Sequence, residues 1–168
     1  MPSLLHRKRD LTYFIFFLLH IPIVFFVDIY PLYPTSLRPQ FMTTLRQWYI
    51  TTYRDAFFIA PPAWFTMYVW MELFYHVPLS VWALGALWRD DPKLPIHLLI
   101  YALQTAVTTA TCIVDYLSWS GYETKEKVEL GKLYVPYLMV SVFMGVDMYT
   151  RLDAALSKRQ VSGSKKGN

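Results

Sequence analysis

The chain has 168 residues, 55% of them hydrophobic and 17% charged, with a net charge of +4 and a mean hydropathy of +0.27. Soluble domains carry about 25% charged residues, so the composition argues against a water-soluble domain, and 18% aromatics fit rings placed at membrane interfaces. The single Cys112 excludes an internal disulfide, and the length favours one domain.

Residues 1–10 form a basic start with Arg7, Lys8 and Arg9. No Asp, Glu, Lys or Arg follows from Leu11 to Val27, which predicts a first membrane span over 11–30. No small-x-small cleavage site follows, so an uncleaved span is expected rather than a signal peptide. Within it, "HIPIVFFVD" places His20 and Asp28 eight positions apart around Pro22. The proline cannot donate its backbone hydrogen bond, so it frees the Leu18 carbonyl and favours a kink. On these residues alone Asp28 reads as an interfacial charge at a helix end.

The connection that follows contains "RPQFMTTLRQWYITTYRD". Phe41, Leu45 and Trp48 recur at helical spacing, which predicts a helix lying in the interface or capping the end of the bundle. The second span is placed at 63–87. Glu72 lies near its middle, about 15 Å from either end, with His76 one turn later on the same face. An intramembrane carboxyl is expensive unless it pairs, protonates or faces water. Glu72 is therefore expected to be protonated and to donate a hydrogen bond, and a functional role is favoured over a polar tie between helices.

The third span is placed at 95–118. Its Thr105, Thr108, Thr109 and Thr111 can bond their own helix backbone, and Asp115, close to the span's end, is read as structural. The fourth is placed at 133–151, where Asp147 finds an ion-pair partner in Arg151 at i+4. The chain ends in the basic segment 156–168, of which 157–168 is expected to be irregular. It finishes "SKKGN". Lys165 and Lys166, fourth and third from the end, resemble a dilysine signal for retrieval to the endoplasmic reticulum. Four spans with basic ends place both termini in the cytosol and residues 32–62 and 119–132 in the lumen.

Other chemistries find no support. There is no Gly-rich phosphate loop, nucleophile elbow or zinc-type Cys/His spacing, and the four His are scattered. No cofactor or metal is expected, and the basic tail is too short to argue for nucleic acid.

"HIPIVFFVD", "PPAWF" at 61–65 with Glu72 seven residues later, and "YVPYL" at 134–138 resemble the sigma-2 receptor branch of the EXPERA-domain family, over roughly residues 10 to 155. That family is similar in fold to emopamil-binding protein, a sterol isomerase. The resemblance implies an all-α, four-helix membrane protein of the endoplasmic reticulum, frequently a homodimer, with an internal cavity over residues 11–155. It implies that Asp28 and Glu72 form an acidic pair, one binding a ligand amine and the other supporting it. It maps His20, Thr108, Tyr134 and Tyr137 onto the cavity wall and gives Asp55 the task of holding the loop before "PPAWF". The family commonly has Gln where this chain has His76, which adds a titratable group to the ligand site. Asp147 also replaces an apolar position.

These implications change the reading of Asp28 from interfacial charge to internal counter-ion. The ligand expected is a sterol-like lipid or a cationic amine, which Tyr and Trp walls favour by cation–π contact. A non-enzymatic role in sterol or lipid homeostasis is expected. Two alternatives stay open: a sterol double-bond isomerase using Glu72 and His76 as proton donor and base, and the handling of mitochondrial precursor proteins, a role linked to fungal members of the branch.

Overall fold

The structure is a computed structural model that describes residues 3–164, with side chains described through Lys158. All regular structure among them is helical: α1 (Lys8–Ile23), α2 (Gln40–Tyr53), α3 (Ala56–Ile59), α4 (Ala63–Met71), α5 (Val77–Arg89), α6 (Leu94–Ser118) and α7 (Thr124–Ser164), with short 3-10 turns between some of them.

Two π turns interrupt this pattern. α1 runs on into a π turn, Val24–Asp28, closed by the Ile29 N–H donating to the Val24 carbonyl at 3.0 Å. α4 and α5 are joined by another, Glu72–His76, closed by the Val77 N–H donating to the Glu72 carbonyl. Each lies within two residues of a proline, Pro22 before the first and Pro78 after the second. A missing proline donor disturbs the regular ladder, and single π turns are one way a helix absorbs the disturbance.

Three of these helical runs are long and apolar enough to cross a membrane: Lys8–Asp28, Leu94–Ser118 and Thr124–Lys158. The run from Ala63 to Arg89 is also helical throughout, but Glu72, His76 and Ser80 dilute its apolar character. Many large apolar side chains point outward, among them Leu19, Phe74, Val107, Val114 and Met139. This is the arrangement of a membrane protein, whose outer surface meets lipid rather than water.

The fourth predicted span is longer than its charge gap. α7 begins at Thr124 rather than near 133, so the connection to α6 shrinks to 119–123, where Gly121 takes φ 79°. The extension is held by buried Leu130, by Lys132 paired with Glu129 at 2.6 Å, and by Glu126 accepting from the Glu123 N–H at 2.8 Å. The tail expected to be irregular from 157 stays helical to Ser164, while Lys165 and Lys166 lie outside the described residues.

α6 and α7 form an antiparallel pair, and α1 packs along α5. Their shared core contains Tyr13, Phe17, Leu87, Leu98 and Met144, with Ala83, Ala86 and Ala102 between them. Small residues bring helix backbones together where lipid supplies no hydrophobic drive. At Gly145 a Cβ would stand 3.7 Å from that of Ala102, so α6 and α7 approach closely there.

One end of the bundle is tied by charge. Asp10, buried on α1, accepts from Arg7 at 2.6 Å and from Arg151 of α7 at 2.7 Å. Asp147 accepts from Arg9 at 2.8 Å, from the Tyr13 hydroxyl at 2.9 Å and from Arg151 at 2.7 Å. Arg7 also reaches Asp90 at 2.9 Å and the Leu87 carbonyl at 2.6 Å, which fixes the left-handed C-cap of α5 at Asp90, φ 56°. The expected Asp147–Arg151 pair is thus one part of a network joining α1, α5 and α7.

At the other end, α2 packs against the first π turn and α7. Phe41 and Trp48 are exposed, while Met42, Tyr49, Ile50 and Tyr53 face inward. The aromatic stripe read from the sequence is therefore the outer face of this helix. α2 ends at Arg54 with φ 50°, and this left-handed cap is held from the far side by the Tyr122 hydroxyl donating to its carbonyl at 2.8 Å and by Glu126. Asp115 accepts from Trp119 Nε1 at 2.8 Å, the structural role expected of it.

Candidate functional site

A pocket of about 250 Å³ opens between the π turns and α7. His20, Asp28, Glu72, His76, Thr108, Tyr134 and Tyr137 all line it, brought together from α1, the two π turns, α6 and α7. Ile23, Val27, Phe58, Phe65, Val69 and Cys112 supply most of the remaining wall.

The two acidic residues stand at opposite ends of the two π turns. Asp28 ends the first and Glu72 begins the second, with His76 ending the second. A π turn widens the helix and shifts the direction of the side chains that follow it. Among the described residues, no cation or hydrogen-bond donor is bonded to either carboxyl group. Both carboxyls are therefore open to a partner inside a wall that is otherwise mainly apolar and aromatic.

The histidines are also incompletely paired. His20 Nδ1 is bonded to the Tyr137 hydroxyl, and its ring stacks on Phe16 at 5.4 Å. The Nε2 atoms of His20 and His76 are buried without a protein partner. Tyr101, which lies outside the lining, packs against both rings, 4.7 Å from His76 and 6.4 Å from His20. Thr108 Oγ1 donates to the Gln104 carbonyl at 3.1 Å and approaches the Thr105 carbonyl at 3.2 Å, so its hydroxyl is largely spent on its own helix.

Asp55 stands behind the wall. It is fully buried and caps α3 by accepting from the Phe57 N–H at 2.9 Å. Its Oδ2 accepts from two pocket tyrosines, Tyr134 at 2.7 Å and Tyr49 at 2.8 Å. Burial pushes its carboxyl above the usual carboxylate range, while the Tyr134 and Tyr49 hydroxyls and the Phe57 N–H pull it back. The side chain thereby joins the segment before "PPAWF" to α2 and α7.

Several lining residues were not singled out from the sequence. Tyr49 lies on the inner face of α2, opposite the stripe that periodicity made conspicuous. Phe58, Phe65 and Tyr68 come from the apolar segments around "PPAWF", where nothing in composition separates a pocket wall from packing. Met71 lies in the wall just before Glu72 and contacts the Gln104 amide. No cluster of three or more His, Cys, Asp or Glu suited to a metal occurs among the described residues.

Comparison with known proteins gives the same direction as the motifs. Sigma intracellular receptor 2 of Xenopus tropicalis is 29% identical over 152 residues, covering 84% of this chain and 88% of the relative. The human protein of that name is 27% identical over 146 residues, covering 80% and 83%. Efficient mitochondria targeting-associated protein 19 of Schizosaccharomyces pombe is 29% identical over 145 residues, covering 85% and 76%. The sequence profile described as EXPERA, the expanded EBP superfamily, matches residues 41–148, from α2 to the Asp147 end of the bundle. The chain belongs to the EXPERA family.

Proposed function

We propose that this protein binds a sterol-like lipid or a cationic amphiphilic amine between its helices, in the endoplasmic reticulum membrane, as part of sterol or lipid homeostasis. The observation that carries the reading is a pair of carboxyls, Asp28 and Glu72, without a protein cation, on one largely apolar and aromatic wall. In this reading the helical run from 63 to 89 is the second of four spans, both termini are cytosolic, and the π turns hold the acidic pair inside the bundle. Two like charges close together in a low dielectric are costly, so one carboxyl is protonated and the other is the counter-ion. Glu72, nearer the middle of its helix, is the neutral member, and Asp28 meets the amine.

The pocket volume of about 250 Å³ lies just below the usual range of about 300–1,000 Å³ for small-molecule sites. The polar end of an amphiphile would be enclosed, and its apolar body would extend through the mouth toward the lipid-facing side chains. No chemical step is needed for this role. A homodimer is what the family resemblance implies.

The test is amine binding to the purified full-length protein. Asp28→Asn keeps the shape and removes the charge. Loss of a partner from a buried charge pair costs about 2–5 kcal/mol, so amine affinity should fall by about thirtyfold or more, while a neutral sterol loses much less. Unchanged amine affinity in Asp28→Asn sinks the reading.

Two other readings have specific support. Glu72 and His76, on one π turn and in one wall, are a carboxyl and an imidazole of the kind a double-bond isomerase uses. Restoration of sterol synthesis in cells lacking that isomerase would establish it. The fungal relative's name ties it to efficient mitochondrial targeting, and co-purification of precursor proteins with this chain would favour that role.

A further inference from the structure

Beyond the pocket wall lies a second set of polar groups that the reading above does not use. Ser80 of α5 and Tyr101 and Thr105 of α6 are 1%, 1% and 4% exposed. Ser80 sits one turn after His76, and Thr105 one turn after Tyr101. The Ser80 and Thr105 hydroxyls both come within reach of the Tyr101 hydroxyl for at most a weak hydrogen bond. Yet Ser80 Oγ, Tyr101 OH and Thr105 Oγ1 are each buried without a completed hydrogen bond. His76 Nε2 and His20 Nε2, also buried and unpaired, belong to the two rings against which Tyr101 packs.

A serine or threonine on a helix usually turns its hydroxyl back to a carbonyl one turn earlier. Thr108, Thr111 and Ser141 of this protein do so. Ser80 and Thr105 do not: they converge on Tyr101 from two helices instead. A buried hydroxyl with no partner is costly, and apolar residues of the same shape would serve packing better. Three hydroxyls in such loose mutual contact leave donors and acceptors unspent, and one more oxygen beside them can make about three hydrogen bonds to groups of this kind.

We propose that Ser80, Tyr101 and Thr105 form an inner subsite for a single hydroxyl oxygen, placed behind the two imidazoles of the pocket. The oxygen is that of a water molecule or of a ligand hydroxyl that passes between His20 and His76. Serine, threonine and tyrosine hydroxyls each both donate and accept, so the subsite takes a neutral oxygen and offers no charge to an amine. The pocket and subsite together then have two poles, an acidic one at Asp28 and Glu72 and a neutral one at Tyr101. They select amphiphiles whose polar group is uncharged as well as cations.

The water arm is independent of the proposed ligand, and the ligand arm rests on it. The experiment uses the full-length protein and the variants Ser80→Ala, Thr105→Val and Tyr101→Phe, each of which removes a hydroxyl with little change of shape. Without ligand, each variant should unfold about 2–4 °C below the parent, a shift typical of one lost interaction in a protein of this size. Unchanged or raised midpoints in all three overturn the proposal, because deleting idle hydroxyls removes a burden. A high-resolution structure should show an ordered oxygen bonded to all three; hydroxyls bonded directly to one another, with no oxygen among them, also overturn it.

The source of the oxygen is read with cholesterol and cholest-5-ene, which differ only by the hydroxyl. A preference for cholesterol that falls about tenfold in Tyr101→Phe assigns the oxygen to the ligand. A preference that persists alongside lowered midpoints assigns it to water. Neither outcome depends on Asp28→Asn, so failure of the acidic-pair reading and failure of this one remain separate results.

Discussion

The Tyr134 hydroxyl donates to Asp55 Oδ2 at 2.7 Å across 79 residues, tying α7 to the short segment that enters α3. Tyr49 reaches the same oxygen from α2 at 2.8 Å, so one buried carboxyl sets the positions of two pocket rings. Asp55→Ala would leave both phenols unpaired and remove the cap of α3. Its expected cost is about 3 kcal/mol, from one lost cap and the unpaired buried groups, measured as a lower unfolding midpoint with weaker binding of any pocket ligand. Asp55→Asn keeps an acceptor and should be milder. Because burial raises the Asp55 value in the folded protein, this group's contribution is fullest below the ordinary aspartate range and declines as pH rises through the raised value. That part of the pH profile should flatten in Asp55→Asn.

Glu72 separates donor chemistry from charge. If it is the protonated member of the pair, Glu72→Gln still donates a hydrogen bond, whereas Glu72→Ala does not. Amine affinity should fall about tenfold further in the alanine variant, the worth of about one hydrogen bond. Equal losses in titration of both variants would mean that Glu72 acts through its negative charge.

Asp147 should behave in the opposite way from Asp28. It accepts from Arg9, Tyr13 and Arg151 outside the pocket. Asp147→Asn should leave amine affinity unchanged but lower stability by about 2–3 kcal/mol, below the full cost of breaking a buried ion pair because the amide still accepts. A binding defect at normal stability would place the ligand site at the wrong end of the bundle.

Topology has a direct test. Ser120 is exposed in the 119–123 connection, which the four-span reading puts in the lumen. A glycosylation sequon engineered there should be modified in microsomes, and modification of a sequon near the C-terminus instead would reverse the orientation. Changing Lys165 and Lys166 to Ser should let part of the protein reach later compartments, seen as Golgi-type glycan processing on the Ser120 reporter. Unchanged processing would leave the lysines as topological charges only.

The long charge gaps made α1 and α6 legible because a bilayer-spanning helix has to be continuous and apolar. The start of α7 was hidden because "TKEKVELGK" is mostly polar and buries Leu130 alone in the core. Asp28 was ambiguous on its own residues, and only the combined motifs moved it from the interface to a ligand site. The π turns have no residue signature beyond the nearby prolines, since their register is set by packing of the whole bundle. Asp10 read as part of a basic end, yet its partner Arg151 is 141 positions away. Tyr101, Ser80 and Thr105 were indistinguishable from helix-bonded or core residues until two helices brought their hydroxyls together.

The network at Asp10 and Asp147 also bears on how the chain matures. During synthesis Arg7 can shield Asp10 from the N-cap of the same helix, but Arg151 and Asp147 reach the membrane only after nearly every other residue. Closure of the bundle therefore waits for the last helix, whatever order the earlier ones insert in. A chain that stops before Asp147 leaves Asp10 with Arg7 as its one cation and Arg9 without its carboxylate, so an unfinished molecule differs from a finished one in the charge it leaves unpaired at this end.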